Sequence, residues 1–252
     1  MPITSPHNDK LKTVRKLRQR RRERERLGMF VAEGEDLLAA ADAAGWEPVE
    51  RFAATGSGLP GTEVEPALLE AVTELASGTR TLAIYRERWA VPEAPAPGAL
   101  CVYLHGVGDP GNVGTTLRGA AAFGALHVML GPGSADPFSP KAVRASMGAI
   151  FTVPVLRAEP TWLTATTTTT VALDARASAT LAEVAQAIPP EAQVTLLVGA
   201  ERDGLPQELL AQVDHVARIP IVTESLNAAM AATVALYEFR AGPGRRRQPL
   251  NS

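Results

Sequence analysis

The feature that most restricts this chain is a set of four apolar runs of strand length in its second half. LCVYLHGV, HVMLGP, VTLLVGA and HVARIPI are each continuous rather than alternating, and stretches with helical periodicity separate them. An alternating strand leaves one face in water, whereas a continuous apolar run is buried on both. Strands of this kind, interleaved with helices, predict an α/β domain built on a mostly parallel sheet covered on both faces. The 252 residues suffice for two modest domains or one large one, and a 46% hydrophobic content excludes disorder throughout.

The first half reads as a smaller α/β unit. In residues 11–26 (LKTVRKLRQRRRERER) Leu11, Val14 and Leu17 stand about three apart among good helix formers, which predicts one basic helix with a thin apolar stripe. Phe30-Val31-Ala32 predicts a short strand, and EGEDLLAAADAA a helix that stops at Gly45, a residue suited to the left-handed position beyond a helix end. Trp46–Ala54 and Thr79–Tyr85 predict further strands, and Pro66 opens a helix with Leu68, Leu69, Val72 and Leu75 on one face. Three prolines and a glycine in VPEAPAPG (91–98) favour an extended connection, which divides the chain into domains 1–95 and 96–252. The threonine run TATTTTT (164–170) favours extended structure or a surface connection and is assigned no chemistry, and the tail GPGRRRQPLNS is expected to fray.

Charge and residue usage remove several function classes. The net charge is −2, but residues 1–26 hold ten Lys/Arg against three Asp/Glu, which leaves −9 on the remainder. A basic arm on an otherwise acidic chain suits a polyanionic partner. No apolar run approaches the roughly 18 residues needed to cross a bilayer, and the basic N-terminus has no apolar stretch behind it, so a soluble, cytoplasmic protein is expected. One cysteine, Cys101, allows no intramolecular disulfide, and four scattered histidines give no metal-ligand spacing, so no metal is expected. Gly106-Val107-Gly108-Asp109-Pro110-Gly111 matches GxGxxG after a predicted strand. A dinucleotide site would also need an acidic residue closing the next strand, and HVMLGPG ends without one.

Reading onward from that loop, an Asn at a helix entrance precedes an Arg six residues along. Residues 104–125 (LHGVGDPGNVGTTLRGAAAFGA), 138–154 (FSPKAVRASMGAIFTVP), 196–208 (LLVGAERDGLPQE) and 217–237 (ARIPIVTESLNAAMAATVALY) resemble, in order and spacing, the successive motifs of the SpoU/TrmH family within the SPOUT superfamily. The stretches ITSPHNDKLKTVRKL and GMFVAEGEDLL are similar to that family's substrate-binding domain, which is like the ribosomal protein L30e fold. The resemblance implies transfer of a methyl group from S-adenosylmethionine to a ribose 2′-hydroxyl of structured RNA. It implies ribosomal RNA of the 23S class ahead of transfer RNA, a trefoil knot in the C-terminal domain, and a homodimer. The helix from Leu226 to Phe239 is apolar almost all round and so must be covered on several sides.

The resemblance also implies roles. Gly199, Ile219 and Leu226 match the positions that bind the cofactor through their main chain, and Asn112, Arg118, Glu201, Ser225 and Asn227 match the active-site set. Each has a plainer reading beside it. Asn112 and Ser225 are favoured helix N-caps, Asn227 could satisfy the start of the last helix, Arg118 could be a solvated helix charge, and Glu201 could neutralise Arg118 or Arg202. A guanidinium with a pKa above about 12 is a poor base, so Arg118 is expected to hold the ribose or a phosphate, with Glu201 holding Arg118 and Asn112 in place. The chain departs from the family at Ala229, where a second serine is common, and at Arg202, where a glycine is. Two further readings are a SPOUT enzyme acting on a base and an RNA-binding protein of this fold that has lost catalysis. Retention of the whole polar set argues against the latter.

Overall fold

The structure, a computed structural model, describes residues 1–73, 78–91, 96–164 and 167–241. Leu75, the centre of the proline-rich connection and the tail from residue 242 lie outside the described residues. The chain forms two compact units, Met1–Arg88 with Asp136–Thr152, and Trp89–Ala135 with Val153 onward.

In chain order, the elements before the connection are α1 (Asp9–Gln19), α2 (Arg21–Leu27), β1 (Met29–Glu33), α3 (Glu35–Ala43), β2 (Glu50–Ala54), β3 (Thr62–Val64), α4 (Pro66–Glu70) and β4 (Thr81–Arg86). After it come β5 (Leu100–Leu104), α5 (Pro110–Ala122), β6 (His127–Leu130), α6 (Pro140–Ala145), a 3₁₀ turn (Ala149–Phe151) and β7 (Val155–Arg157). The chain continues through α7 (Thr161–Thr164), β8 (Thr169–Leu173), α8 (Leu181–Ala187), β9 (Val194–Val198), α9 (Gln207–Leu210), β10 (His215–Ala217) and α10 (Ala228–Ala241).

The first unit is a four-stranded sheet in the order β1-β4-β2-β3, antiparallel except for the β2/β3 pair. Leu11, Val14 and Leu17 are buried against Val31, Phe52, Leu69, Leu82 and Ile84, so the apolar stripe is a true core face. The single basic helix expected over 11–26 is instead two. Arg20 is extended (φ −128°, ψ 108°), and the break turns Arg24 inward, where its guanidinium donates to the Leu17 and Arg18 carbonyls that end α1 and to Asp136. An arginine thus satisfies carbonyls that the end of a helix leaves without amide partners.

Gly45 ends α3 as expected: it has φ 69°, its amide donates to Asp42, and the following Trp46 amide donates to Ala41. That pattern closes the helix with a glycine in the left-handed region. It also corrects the expected strand Trp46–Ala54, because Trp46 completes the helix end and the strand starts only at Glu50, with the Val49 amide making the first bond to Ile84. The Trp46 ring packs with Phe30, Tyr85 and Phe151, and its Nε1 donates to the Phe151 carbonyl at 2.9 Å. Phe138 and Phe151 therefore complete an aromatic core whose other members lie before residue 90. Residues 136–152 follow the proline-rich connection in sequence yet pack with the first unit.

The second unit carries a six-stranded sheet in the order β10-β8-β9-β5-β6-β7, every neighbouring pair parallel. All five residues of β5 and of β9 are buried, as continuous apolar runs require. The threonine run is not a surface connection at its end. Thr169 and Thr170 start β8, an inner strand, where Thr170 donates through its amide and its hydroxyl to Asp214 (2.8 and 2.7 Å) and the hydroxyls of Thr168 and Thr195 meet at 3.1 Å. These bonds let hydroxyl-bearing, β-branched residues occupy a buried strand. The helix α10 packs chiefly on α5, burying Ala228, Ala229, Ala232, Ala235, Leu236 and Phe239 and leaving Met230, Val234 and Tyr237 exposed in one row. No described helix is long and apolar enough to cross a membrane.

Candidate active site

A cleft of about 430 Å³ opens where β8, β9 and β10 end, with Leu173, Val198 and Ala217 in its wall. Ligand sites in parallel α/β sheets fall at such carboxyl ends. Gly199, Ile219 and Leu226 line it, and so do Glu201 and Ser225. Five of the eight site residues expected from sequence thus share one cavity.

Gly199 follows β9, and a side chain there has no room. A Cβ would lie 2.2 Å from the Gly204 carbonyl carbon and 2.5 Å from the Leu205 nitrogen. The cause is the loop 200–204, which folds back so that Ala200 and Gly204 exchange backbone hydrogen bonds (3.2 and 3.0 Å), with Gly204 at φ 67°. The glycine is demanded first by the loop that presents Glu201. Ile219 and Leu226 are half-buried and give the cleft apolar wall; Ser225 is exposed.

Asn112 is the third residue of α5, and the cap of that helix is Asp109, whose carboxylate accepts from the Gly111 amide at 2.5 Å with Pro110 in the first turn. The capping reading of Asn112 is thereby excluded. Its side-chain amide donates to Glu201 Oε1, and its Oδ1 accepts from Asn227 Nδ2 at 2.9 Å. Asn227 in turn caps α10, its Oδ1 accepting from the Ala229 and Met230 amides (3.0 and 3.2 Å). Because helix amides can only donate, they fix which end of the Asn227 amide faces Asn112, and that orients Asn112 toward Glu201. The cap of the last helix is therefore Asn227 and not Ser225.

Arg118 stands apart. It lies exposed on α5, about one and two-thirds turns beyond Asn112, with no hydrogen bond or ion pair to another described residue. Glu201 meets Asn112 rather than Arg118. Sequence reasoning missed Asp109 as the cap, and it missed Asp174 and Arg176, which line the cleft beyond β8. The Asp174 carboxyl is held below the usual range, first by the Arg176 side chain, which bonds it at 2.9 and 3.1 Å. The signal for it was the acid after TTVAL, hidden once the threonine run was set aside. Among the described residues no three His, Cys, Asp or Glu side chains gather as a metal site.

Residues 99–237, more than half of the chain, match the family model described as the SpoU rRNA Methylase family. The chain belongs to that family. Residues 8–85 match a second model, the MRM3-like substrate binding domain. Among curated relatives of this SpoU chain is the 23S rRNA (guanosine(2553)-2′-O)-methyltransferase RlmP of Bacillus subtilis, 32% identical over 94% of this chain and 98% of the relative. Among solved structures, an AdoMet-bound rRNA methyltransferase from Sinorhizobium meliloti superposes with a TM-score of 0.85 at 31% identity, over 95% of this chain and 97% of that one. The SpoU methyltransferase AviRb from Streptomyces viridochromogenes, in complex with AdoMet, gives 0.81 at 26% identity, over 92% and 97%.

Proposed function

We propose that this chain transfers a methyl group from S-adenosylmethionine to a ribose 2′-hydroxyl of 23S ribosomal RNA, in the cytoplasm. The observation that carries the reading is the convergence of Gly199, Ile219, Leu226, Ser225 and Glu201 on one cleft, with Glu201 held through Asn112 by Asn227. SpoU membership, the printed activity of RlmP and the AdoMet-bound neighbours support it.

The cleft fits this cofactor. Its volume is within the ordinary range for small-molecule sites, and its wall mixes apolar Leu173, Leu205 and Ile221 with polar Asp174, Arg176 and Glu224, as a nucleoside joined to an amino acid requires. When bound, S-adenosylmethionine supplies an electrophilic methyl group on a sulfonium. The chain's own residues then align the hydroxyl and manage its proton. Asn112 and Asn227 orient the Glu201 carboxylate, the member of the polar set best able to accept a proton, and exposed Arg118 grips the ribose or an adjacent phosphate.

The finer architecture belongs to the same proposal: a trefoil knot in the C-terminal domain, 96–252, an L30e-like N-terminal domain, 1–95, that takes residues 136–152 into its core and selects the RNA, and a homodimer. The exposed row Met230, Val234 and Tyr237 on α10, with Phe123 edge-on to Tyr237 at 6.0 Å, gives a dimer an apolar surface to bury. A monomer by sedimentation at micromolar concentration would overturn that part. The function is tested by incorporation of labelled methyl groups into deproteinised ribosomal RNA, followed by nucleoside analysis. A 2′-O-methylated nucleoside is expected. A methylated base, incorporation into transfer RNA alone, or no incorporation would each overturn the reading.

A further inference from the structure

The structure sorts the ten cations of residues 1–26 into three groups. Arg18 and Arg24 are internal, paired with Glu33 at 2.5 Å and Asp136 at 2.7 Å, and all four side chains are at most 10% exposed. Five others have a local partner: Lys10 with Glu50, Lys12 with Asp9, Arg21 with Glu25, Arg26 with Glu23, and Arg15 with the Pro6 carbonyl. Lys16, Arg20 and Arg22 are exposed and form no side-chain hydrogen bond or ion pair among the described residues.

These three are neighbours at the α1–α2 junction. The Arg20 amide donates to the Lys16 carbonyl one turn back (3.0 Å), Arg20 is the extended link between the helices, and Arg22 lies in the first turn of α2. The nearby Glu23 carboxyl is already bound by Arg26, and that bond, with the fields of Lys16 and Arg20, keeps it below the usual range. Three like charges within seven residues repel one another unless an anion lies between them.

We infer that Lys16, Arg20 and Arg22 form a ridge that binds the phosphate backbone of the substrate RNA, while the other seven cations hold or neutralise the first unit. The inference rests on the RNA methyltransferase reading and adds where the RNA backbone docks. Contacts of this kind position a nucleic acid without reading its sequence, and each adds about 0.9 to the slope of log affinity against log salt on a duplex.

The test compares two full-length variants that lose the same charge. One is Lys16→Ala/Arg20→Ala/Arg22→Ala; the other is Lys12→Ala/Arg21→Ala/Arg26→Ala, which removes only cations with a carboxylate partner. Binding of a labelled stem-loop transcribed from 23S ribosomal RNA is followed by fluorescence anisotropy across a salt series. The ridge variant should lose about two to three units of salt slope and bind about tenfold or more weakly at low salt, and the matched variant less than about one unit. Equal losses in both would make net charge the cause, and no loss in the ridge variant would remove the ridge; either result overturns the inference. Near-ultraviolet circular dichroism of the aromatic core around Trp46, Tyr85 and Phe151 checks that the first unit of each variant is folded, and single Arg20→Ala and Arg22→Ala variants, each losing about one unit, stand in if the triple variant is not. If the wild-type chain shows the ridge-dependent slope yet methylates no RNA, the methyltransferase reading fails and the ridge stands.

Discussion

Asn227 has two duties that one substitution can separate. Its Oδ1 caps α10 and its Nδ2 donates to Asn112, which holds Glu201. Asn227→Ala removes both. Loss of the cap costs about 1 kcal/mol, and for a chain of this size that lowers Tm by roughly 3 °C. Asn227→Asp keeps the cap, because aspartate ranks with asparagine there and its charge suits the start of a helix. It cannot donate, however, and sets a carboxylate oxygen against Asn112 Oδ1. Asn112 must then turn its amide nitrogen toward residue 227 and lose Glu201. The aspartate variant should melt within about 1 °C of the parent while turnover falls roughly tenfold or more, with S-adenosylmethionine affinity little changed. The assays are calorimetric melting and methyl incorporation into ribosomal RNA. Parental turnover in Asn227→Asp would show that the chain of amides does not serve catalysis. A melting point as low as that of the alanine variant would refute the capping argument.

Gly199→Ala forces a Cβ into the Gly204–Leu205 backbone, so the loop must shift; a loss of about 1–3 kcal/mol in stability and weakened S-adenosylmethionine binding are expected by melting and calorimetry, and unchanged values for both would sink the argument. Arg24→Met leaves Asp136 buried without its cation, at a cost of about 3–5 kcal/mol or roughly 10 °C in Tm, and adding Asp136→Asn, which keeps the acceptor for the Phe138 amide, should recover part of it. Burial holds the imidazoles of His127 and His105 below the ordinary 6.5. As pH falls through 6.5 the unfolded chain therefore binds protons that the fold does not, and stability should decline below that pH; His127→Gln should flatten the decline, and an identical pH profile would exclude His127 as its source.

What was legible in the sequence was what local chemistry decides. Continuous apolar runs gave β5, β6, β9 and β10, and Gly45 ended its helix with the hydrogen bonds such a glycine permits. The site blocks were legible as a resemblance, and the cleft gathers five of their residues. What escaped depends on partners distant in the chain. Nothing near Arg20 signals a break, because the residue that draws Arg24 inward is Asp136, 112 positions away. The threonines of β8 pass for a surface segment until Asp214, 44 positions on, supplies their hydrogen bonds. Asn112 is a plausible cap until Asp109 is seen in that position, which frees the asparagine side chain for Glu201.

The placement of residues 136–152 bears on how this polypeptide comes off the ribosome. The first 88 residues hold only Phe30, Trp46 and Tyr85 of the aromatic core, and lack the carboxylate that Arg24 binds. Phe138 and Phe151 are made later, after β5, α5 and β6 have already been synthesised. Folding in order of synthesis, the common route for successive domains, can complete only part of the first unit. The core around Leu11, Val14 and Leu17 lies wholly within those 88 residues, but the aromatic core stays open and Arg24 without its carboxylate until residues 136–152 have emerged. A nascent chain stalled before residue 136 should be cut by protease around Phe30, Trp46 and Tyr85 more readily than one stalled well beyond residue 152, in which that core is closed.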